Sequence, residues 1–238
     1  MKTLLISALI SLSIISCAQE TVKGNGNKKT EKRTVEANFT GIGSEGSFDI
    51  LIEDGPQDGI IYLEGDSNIL EKITTEIKGN TLVIGFRKGF NLKFNNKIKV
   101  RLKAQNLKSI ALSGSGSIKT EGVQKANEMS ISISGSGDID AKVAAENITT
   151  AISGSGDVYL SGTAQKLKVG TSGSGDVKAF NLKCADLEVG ISGSGNTEIT
   201  ASNSISGAIA GSGDIKYKGN PSKIKVNSAG SGDIIDAN

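Results

Sequence analysis

Apolar and polar residues alternate in short runs along most of this chain, and each run stops at a glycine-rich corner. In one unit Leu167 and Val169 precede the corner, and Val177 and Ala179 follow it. Alternation with a period of two is typical of a β-strand with one buried face. Apolar stretches with the helical period of 3.6 are nearly absent from these units. The pattern therefore predicts a strand, a turn and a second strand in each unit.

The corner is the triplet Gly-Ser-Gly, which is followed by Asp in most copies. Seven triplets begin at positions 114, 135, 154, 173, 193, 211 and 230. Their spacing is nearly constant, at about 19 residues, and such a period indicates one supersecondary unit stacked on copies of itself. About 19 residues at ~3.3 Å each make one coil of two or three short strands. We therefore expect an all-β fold, a right-handed parallel β-helix with coils of this length, over 109–238; a β-sandwich is the alternative.

The segment 35–108 lies before the repeats and contains six of the nine aromatic residues. Its apolar runs favour strands at Phe48–Ile52 and Ile60–Leu63, and Gly79-Asn80 favours a hairpin turn. Gly46-Ser47-Phe48-Asp49-Ile50 looks like a degenerate copy of Gly-Ser-Gly-Asp-Ile. We expect this segment to form the first coils, with its N-terminal strands and hairpin acting as a cap.

The absence of histidine from the sequence removes the commonest general base and the commonest metal ligand. The two cysteines cannot form a zinc site without it. The carboxylates that could pair for polysaccharide cleavage all belong to repeated turns. We therefore expect no enzymatic activity, and a polysaccharide-cleaving enzyme is the less favoured alternative.

The N-terminal segment, 1–34, has the composition of an export signal and a linker. Lys2 precedes an apolar run over 4–15, which ends at Ser16-Cys17 as in a bacterial lipobox. We predict a lipoprotein signal peptide over 1–16, lipidation of Cys17 and a flexible tether over 17–34. An ordinary signal peptide with a chance cysteine is the alternative. The prediction implies a lipid anchor in the cell envelope. We expect it in the outer membrane, on either the periplasmic or the surface face.

A basic stripe is the strongest charge feature of the sequence. Eight of the 27 Lys and Arg residues fall between Arg87 and Lys108, a stretch with no acidic residue. Within it, Lys97, Lys99, Arg101 and Lys103 alternate with apolar residues, so a strand would place them on one outer face. The stripe is a candidate site for anions or glycans. The alternatives are a solvated strand face and a sheet edge protected by lysines.

The aspartates that follow the triplets form a second candidate feature, the aspartate column: Asp138, Asp157, Asp176, Asp214 and Asp233. In-register coils would stack these residues at intervals of about 4.8 Å. Turn capping is the favoured interpretation, and a calcium site is the alternative. Asn196 and Ser117 interrupt the column. No other cofactor is expected.

The order of motifs resembles the auto-transporter adhesin head (GIN) domain family. The resemblance rests on Phe39-Thr40-Gly41-Ile42, on Gly46–Ile50, on Glu71-Lys72-Ile73 with Leu82-Val83-Ile84, and on the serial Ser-Gly-Ser-Gly-Asp units; it covers about residues 35–235. It implies a β-helical head with a cell-surface role. We expect a non-catalytic adhesion module that contacts glycan or surface protein, with no nucleic acid partner. A self-associating structural envelope protein, a homo-oligomer, is the alternative.

Overall fold

The computed structural model describes residues 20–93 and 96–238 of the chain. In chain order its elements are β1 (Glu20–Lys23), β2 (Lys28–Thr34), β3 (Gly41–Glu45), β4 (Phe48–Glu53), β5 (Ile60–Asp66), α1 (Ser67–Leu70), β6 (Ile73–Lys78), β7 (Thr81–Phe86), β8 (Phe90–Lys93), β9 (Ile98–Lys103), β10 (Ser109–Gly114), β11 (Ser117–Thr120), β12 (Gln124–Gly135), β13 (Asp138–Gly154), β14 (Val158–Gly173), β15 (Val177–Gly193), β16 (Thr197–Gly211), β17 (Ile215–Lys218), β18 (Lys223–Gly230) and β19 (Ile234–Asp236).

The repeats form a parallel β-solenoid of about seven turns, with coils about 19 residues apart, as the period predicts. Each coil pairs with the next in register, so that Gly135 lies beside Gly154 and Gly154 beside Gly173. The alternation of apolar and polar residues sends one set of side chains inward and the other outward. Every outward position therefore recurs once per coil and forms a column along the solenoid.

The triplets stack because glycine lets neighbouring backbones approach closely. The carbonyl oxygen of Gly135 accepts hydrogen bonds from the N–H groups of Ser155 (2.9 Å) and Gly156 (3.2 Å) in the next coil. Gly154 has a φ of +128°, and a Cβ there would overlap this same carbonyl oxygen. Glycine is therefore required at this corner by both its conformation and its contact.

Columns of aliphatic side chains fill the interior of the solenoid. One column lies just after the triplets and is fully buried over six successive coils: Ile118, Ile139, Val158, Val177, Thr197 and Ile215. Full burial of each Val or Ile contributes about 1.5–3 kcal/mol relative to exposure. The hydroxyl oxygen of Thr197 is buried without a hydrogen-bond partner in the described residues.

The solenoid begins before the first triplet, as the degenerate motif predicts. β3 and β4 pair in parallel with β10 and β11, and Asp49 lies in register with Ser117. β7 and β9 extend the same two ladders by one further coil. The hairpin at Gly79-Asn80 joins the antiparallel strands β6 and β7. Phe48 and Phe86 stack with ring centroids 4.6 Å apart in these first coils.

The described part of the expected tether contains strands instead of a flexible linker. β2 pairs along its whole length with β5 in the antiparallel sense. The Arg33 guanidinium donates hydrogen bonds of 2.7 Å to the carbonyl oxygens of Leu70 and Ile73. A polar segment can join a sheet edge in this way because backbone hydrogen bonds, not buried side chains, supply the pairing.

Candidate functional site

The aspartate column is a ladder of side chain-to-backbone hydrogen bonds between coils. Asp138 Oδ1 accepts from the backbone N–H of Asp157 at 3.0 Å, and Asp157 Oδ1 accepts from that of Asp176 at 3.0 Å. Asp214 Oδ1 accepts in the same way from the N–H of Asp233 at 3.0 Å. Each of these carboxylates therefore caps the turn of the following coil.

The two residues that interrupt the column in sequence continue it in space. Asn196 Oδ1 accepts from the N–H of Asp214 at 2.9 Å, and its Nδ2 donates to Asp176 Oδ1 at 3.1 Å. Ser117 Oγ donates to Asp49 Oδ1 at 2.9 Å. Asparagine retains the acceptor and removes one charge, so the hydrogen-bonded ladder survives where the acidic series breaks.

Lys178 neutralises the middle of the column. Its Nζ lies 2.6 Å from Asp157 Oδ2 and 3.8 Å from Asp176 Oδ2. Partial burial raises the pKa of the Asp157 carboxyl, but hydrogen bonds from Lys178 and from the Asp176 backbone outweigh this, and the net pKa lies below its ordinary value. The hydrogen bond to Asp157 also raises the pKa of Lys178. Both groups are therefore charged at neutral pH.

The column does not bring its carboxylates together as a metal site would. Within residues 20–93 and 96–238, no three acidic or cysteine side chains lie close enough together to hold a metal ion. Asp138, Asp157 and Asp214 each use one carboxylate oxygen to accept a hydrogen bond from a backbone N–H group. A calcium ion needs six to eight oxygen ligands, so this arrangement offers it few free ones.

The basic stripe lies on β9 and just before it, and its side chains point outward. The residues between them, among them Ile98 and Val100, are buried. Acidic neighbours compensate much of its charge. Three ion pairs involve the stripe: Lys97 Nζ with Asp49 at 3.2 Å, Arg101 with Glu53 at 3.4 Å, and Lys103 Nζ with Asp58 at 3.9 Å.

The strand that carries the stripe is an interior strand, so the interpretation of a lysine-protected edge is wrong. β9 pairs in parallel with β4 on one side and antiparallel with β5 on the other. This pairing places Lys99 in register between Asp49 and Glu64. The sequence did not show these acids near the stripe, because they are distant from it along the chain.

Exposed serines form a third feature, which we call the serine face: Ser113, Ser134, Ser153, Ser172 and Ser192. These residues occupy one column on neighbouring coils and span about 19 Å at about 4.8 Å per coil. The adjacent outward column contains only small, uncharged residues over the same coils, such as Ala151, Gly170 and Gly190. The hydroxyls of the serine face make no hydrogen bond within the described residues, and they are free to bind.

Sequence reasoning missed a groove beside the aspartate column. The two aromatic residues Tyr159 and Phe180 line it, together with Asn181 and Glu198. Their positions in sequence gave no reason to group them, since the residues come from three successive coils. The available signal was the uneven spacing of the triplets in this part of the chain, where a longer interval is followed by a shorter one.

The predicted lipidation site, Cys17, lies outside the described residues, as does the predicted signal peptide. Cys184 is 4% exposed, as expected for an interior position, and burial raises the pKa of its thiol to about 11. The described part of the chain contains no helix that is long and apolar enough to cross a membrane.

Several solved structures share this architecture. A putative adhesin from Bacteroides fragilis is 27% identical, with a TM-score of 0.83 over 90% of this chain and 98% of that one. A putative lipid binding protein from Parabacteroides distasonis is 24% identical, with a TM-score of 0.74 over 91% of this chain and 100% of that one. A putative adhesin from Parabacteroides merdae is 24% identical, with a TM-score of 0.67 over the same shares of both chains. The two relatives below 25% identity show the shared fold alone.

A comparison with curated proteins finds no match. A family model described as "Putative auto-transporter adhesin, head GIN domain" matches residues 38–221, which include the first coils and most of the repeats. This description favours a protein of the cell envelope or surface. The matched range is most of the chain, so the motif order, the solenoid and the family model all indicate the same family. The chain belongs to the auto-transporter adhesin head (GIN) domain family.

Proposed function

We propose that the chain is a non-catalytic adhesion module of the cell envelope, which contacts glycan or protein through its repeated outer surface. The serine face is the observation that carries this proposal. It offers five hydroxyls that have no hydrogen-bond partner in the described part of the chain, at a regular spacing and beside small side chains that leave the sheet open to close approach. Individually weak contacts at regular intervals add up in a multivalent interaction.

The environment of the carboxylates supports the non-catalytic part of the proposal. Cleavage of a glycosidic bond needs two carboxyl groups about 5–9.5 Å apart, one of them free to donate a proton. Asp157 is ion-paired with Lys178, and its pKa lies below the ordinary value, which favours the unprotonated form. Asp138, Asp176 and Asp214 each cap the turn of the following coil. These properties suit structural roles.

We further propose that Cys17 carries a lipid that anchors the chain in the outer membrane. The support is the apolar run that ends at Ser16-Cys17, together with the envelope role that the family description favours. Incorporation of a labelled fatty acid into the full chain, and its loss in Cys17→Ala, tests the anchor. Equal labelling of both proteins would contradict it.

Binding of the purified full chain to immobilised mannan, heparin, mucin, fibronectin and collagen tests the adhesion proposal. We expect saturable binding to at least one of these probes, both in the presence of calcium and in the presence of EDTA. Loss of binding in EDTA would instead assign a metal to the aspartate column. Binding to heparin alone, abolished by salt, would assign the contact to the basic stripe. No binding to any probe would contradict the proposal.

A second candidate function, self-association, is favoured by the last coil. β18 and β19 pair with β16 and β17 on one side only among the described residues. Ile224 occupies a column whose preceding member, Ile205, is fully buried, but it is itself 42% exposed. Exposed strand edges with apolar side chains favour pairing with another chain. A mass that rises with concentration in light scattering, and less so in Ile224→Asp, would support this function; a strict monomer would exclude it.

A further inference from the structure

The groove beside Tyr159 interrupts an otherwise regular solenoid. The coil between the triplets at Gly173 and Gly193 is one residue longer than the coil before it, and the coil after it is shorter than both. The extra residue is accommodated at Phe180, which is left unpaired where the register of β15 shifts against both of its neighbours. Irregularities of this kind re-aim side chains and are common beside binding sites. Here the bulge places an aromatic ring in the groove.

Both aromatic rings are fixed before any ligand arrives. Tyr159 Oη donates to Asp157 Oδ2 at 3.2 Å, and Lys178 Nζ lies 5.0 Å from the centroid of the Tyr159 ring. The bulge is held by Thr200 Oγ1, which donates to the Phe180 carbonyl oxygen at 2.8 Å. Lys218 Nζ lies 4.7 Å from the centroid of the Phe180 ring. A preorganised site loses little entropy on binding.

Two polar side chains that line the groove, those of Asn181 and Glu198, remain available to a ligand and together offer both hydrogen-bonding types. Asn181 and Glu198 make no side-chain hydrogen bond within the described residues, and both line the groove. The amide donates and accepts, and the carboxylate accepts, which matches hydroxyl groups that do both. Of the charged residues lining the groove, Lys178 is paired with Asp157 and Asp140 with Lys119, and Glu198 has no ion pair within the described residues. The negative charge of Glu198 disfavours anionic ligands.

We infer that this groove binds a neutral saccharide, with sugar rings stacked on Tyr159 and Phe180 and hydroxyl groups bonded to Asn181 and Glu198. Aromatic rings with a few placed polar groups are the usual composition of a small-ligand site. The inference goes beyond the proposed function, because the groove residues Tyr159 and Phe180 follow the triplet of their coils, whereas the serines of the serine face precede it.

The spacing of the acids favours binding over cleavage at the groove. Asp140, Tyr159, Lys178 and Glu198 occupy one outward row on successive coils. The two carboxylates therefore lie three coil spacings apart, roughly 14 Å at about 4.8 Å per coil. Glycoside hydrolysis requires carboxyl groups no more than about 9.5 Å apart. The saccharide is retained unchanged.

The test is calorimetric titration of the full chain with cellohexaose, xylohexaose, laminarihexaose and mannohexaose, and with polygalacturonate as the anionic comparison. We expect at least one neutral oligosaccharide to bind. Tyr159→Ala and Phe180→Ala should each weaken its binding about five- to tenfold. Tyr62→Ala is the matched control, because Tyr62 and Tyr159 are both 38% exposed and each lies beside a cation. Thermal denaturation verifies that the variants fold.

Three outcomes would overturn the inference: binding of polygalacturonate alone, no binding of any neutral probe, or unchanged affinity in both groove variants. Its failure is distinguishable from that of the adhesion proposal. If no oligosaccharide binds but the chain still binds one of the immobilised probes, the groove fails and the adhesion module stands. If the chain binds nothing in either experiment, both proposals fail.

Discussion

Asp138 and Asp157 lie on neighbouring coils, and the side chain of the first accepts a hydrogen bond of 3.0 Å from the backbone N–H of the second. The same bond recurs along the column, so an acidic series that resembles a metal site in sequence serves to join one coil to the next. Because the bond needs an acceptor and not a charge, we expect an amide to replace the carboxylate at these positions.

Asp138→Asn should leave stability nearly unchanged, and Asp138→Ala should lower the free energy of unfolding by about 0.5–1.5 kcal/mol. Asparagine keeps the acceptor, as Asn196 does in the native column, whereas alanine leaves the Asp157 N–H without it. Urea denaturation of both variants measures the difference. Equal destabilisation by the two substitutions would show that charge is what matters at this position.

Gly154→Ala should destabilise the solenoid by about 3 kcal/mol or more, because it combines a strained φ with a steric overlap. The new Cβ would overlap the carbonyl oxygen of Gly135. Gly170→Ala is the matched control, since a Cβ there meets nothing within 4 Å and its φ is not positive. Thermal and urea unfolding should separate the two variants clearly. A similar small effect in both would contradict the close packing of the triplets.

Acid should destabilise the chain through carboxyls whose pKa is lowered in the folded state. Asp157 is one, and Glu188 is another, because hydrogen bonds from Lys166 and Lys168 lower its pKa to about 2. Such groups stabilise the fold above their unfolded pKa, near 4, and this contribution is lost as the pH falls through the folded value. The melting temperature should therefore be flat from about pH 5 to 8 and fall below about pH 4.

Asp157→Asn should make this acid-induced fall shallower, because it removes one of the titrating groups and keeps the acceptor for the Asp176 N–H. Melting temperatures of the native chain and the variant between pH 2 and pH 7 provide the comparison. Identical slopes below pH 4 would mean that Asp157 does not contribute to the acid transition.

The Cys184 thiol should be unreactive in the folded chain at neutral pH. It is 4% exposed, and burial raises its pKa to about 11, so both access and thiolate content are low. A colorimetric disulfide reagent should label it slowly at pH 7, and rapidly once urea unfolds the chain. Cys184→Ser provides the baseline for any reaction at other groups. Rapid labelling of the folded chain would contradict the interior position.

The solenoid follows from the sequence because the signal recurs in every unit. One apolar alternation, such as Leu167 and Val169, fits many folds, but seven copies at nearly one period fit few. The early start of the coils was also visible in Gly46–Ile50. Strand β2 was not, because its polar side chains carry no periodic signal and its pairing with β5 depends on backbone alone.

The candidate sites were less predictable because their partners are distant in sequence. The acids that compensate the basic stripe come from β4, β5 and the turn at Asp58, and only the fold brings them near β9. The serine hydroxyls gain their regular spacing only from the register of the coils, which stacks them in one exposed column. The groove at Phe180 depends on a bulge, which the uneven spacing of the triplets marked without giving its position.

The role of the serine face in adhesion is tested most directly by the affinity for an immobilised probe of a variant that carries added charges on this face. Ser134→Glu with Ser172→Glu places two carboxylates on alternate coils, far enough apart to limit their mutual repulsion. Thr163→Glu with Ser202→Glu adds the same charge at exposed positions elsewhere on the coils. We predict that the first variant loses at least about tenfold in affinity for whichever immobilised probe the native chain binds, which is about 1.4 kcal/mol. The second should bind as the native chain does. Unchanged binding by both would show that adhesion does not use the serine face.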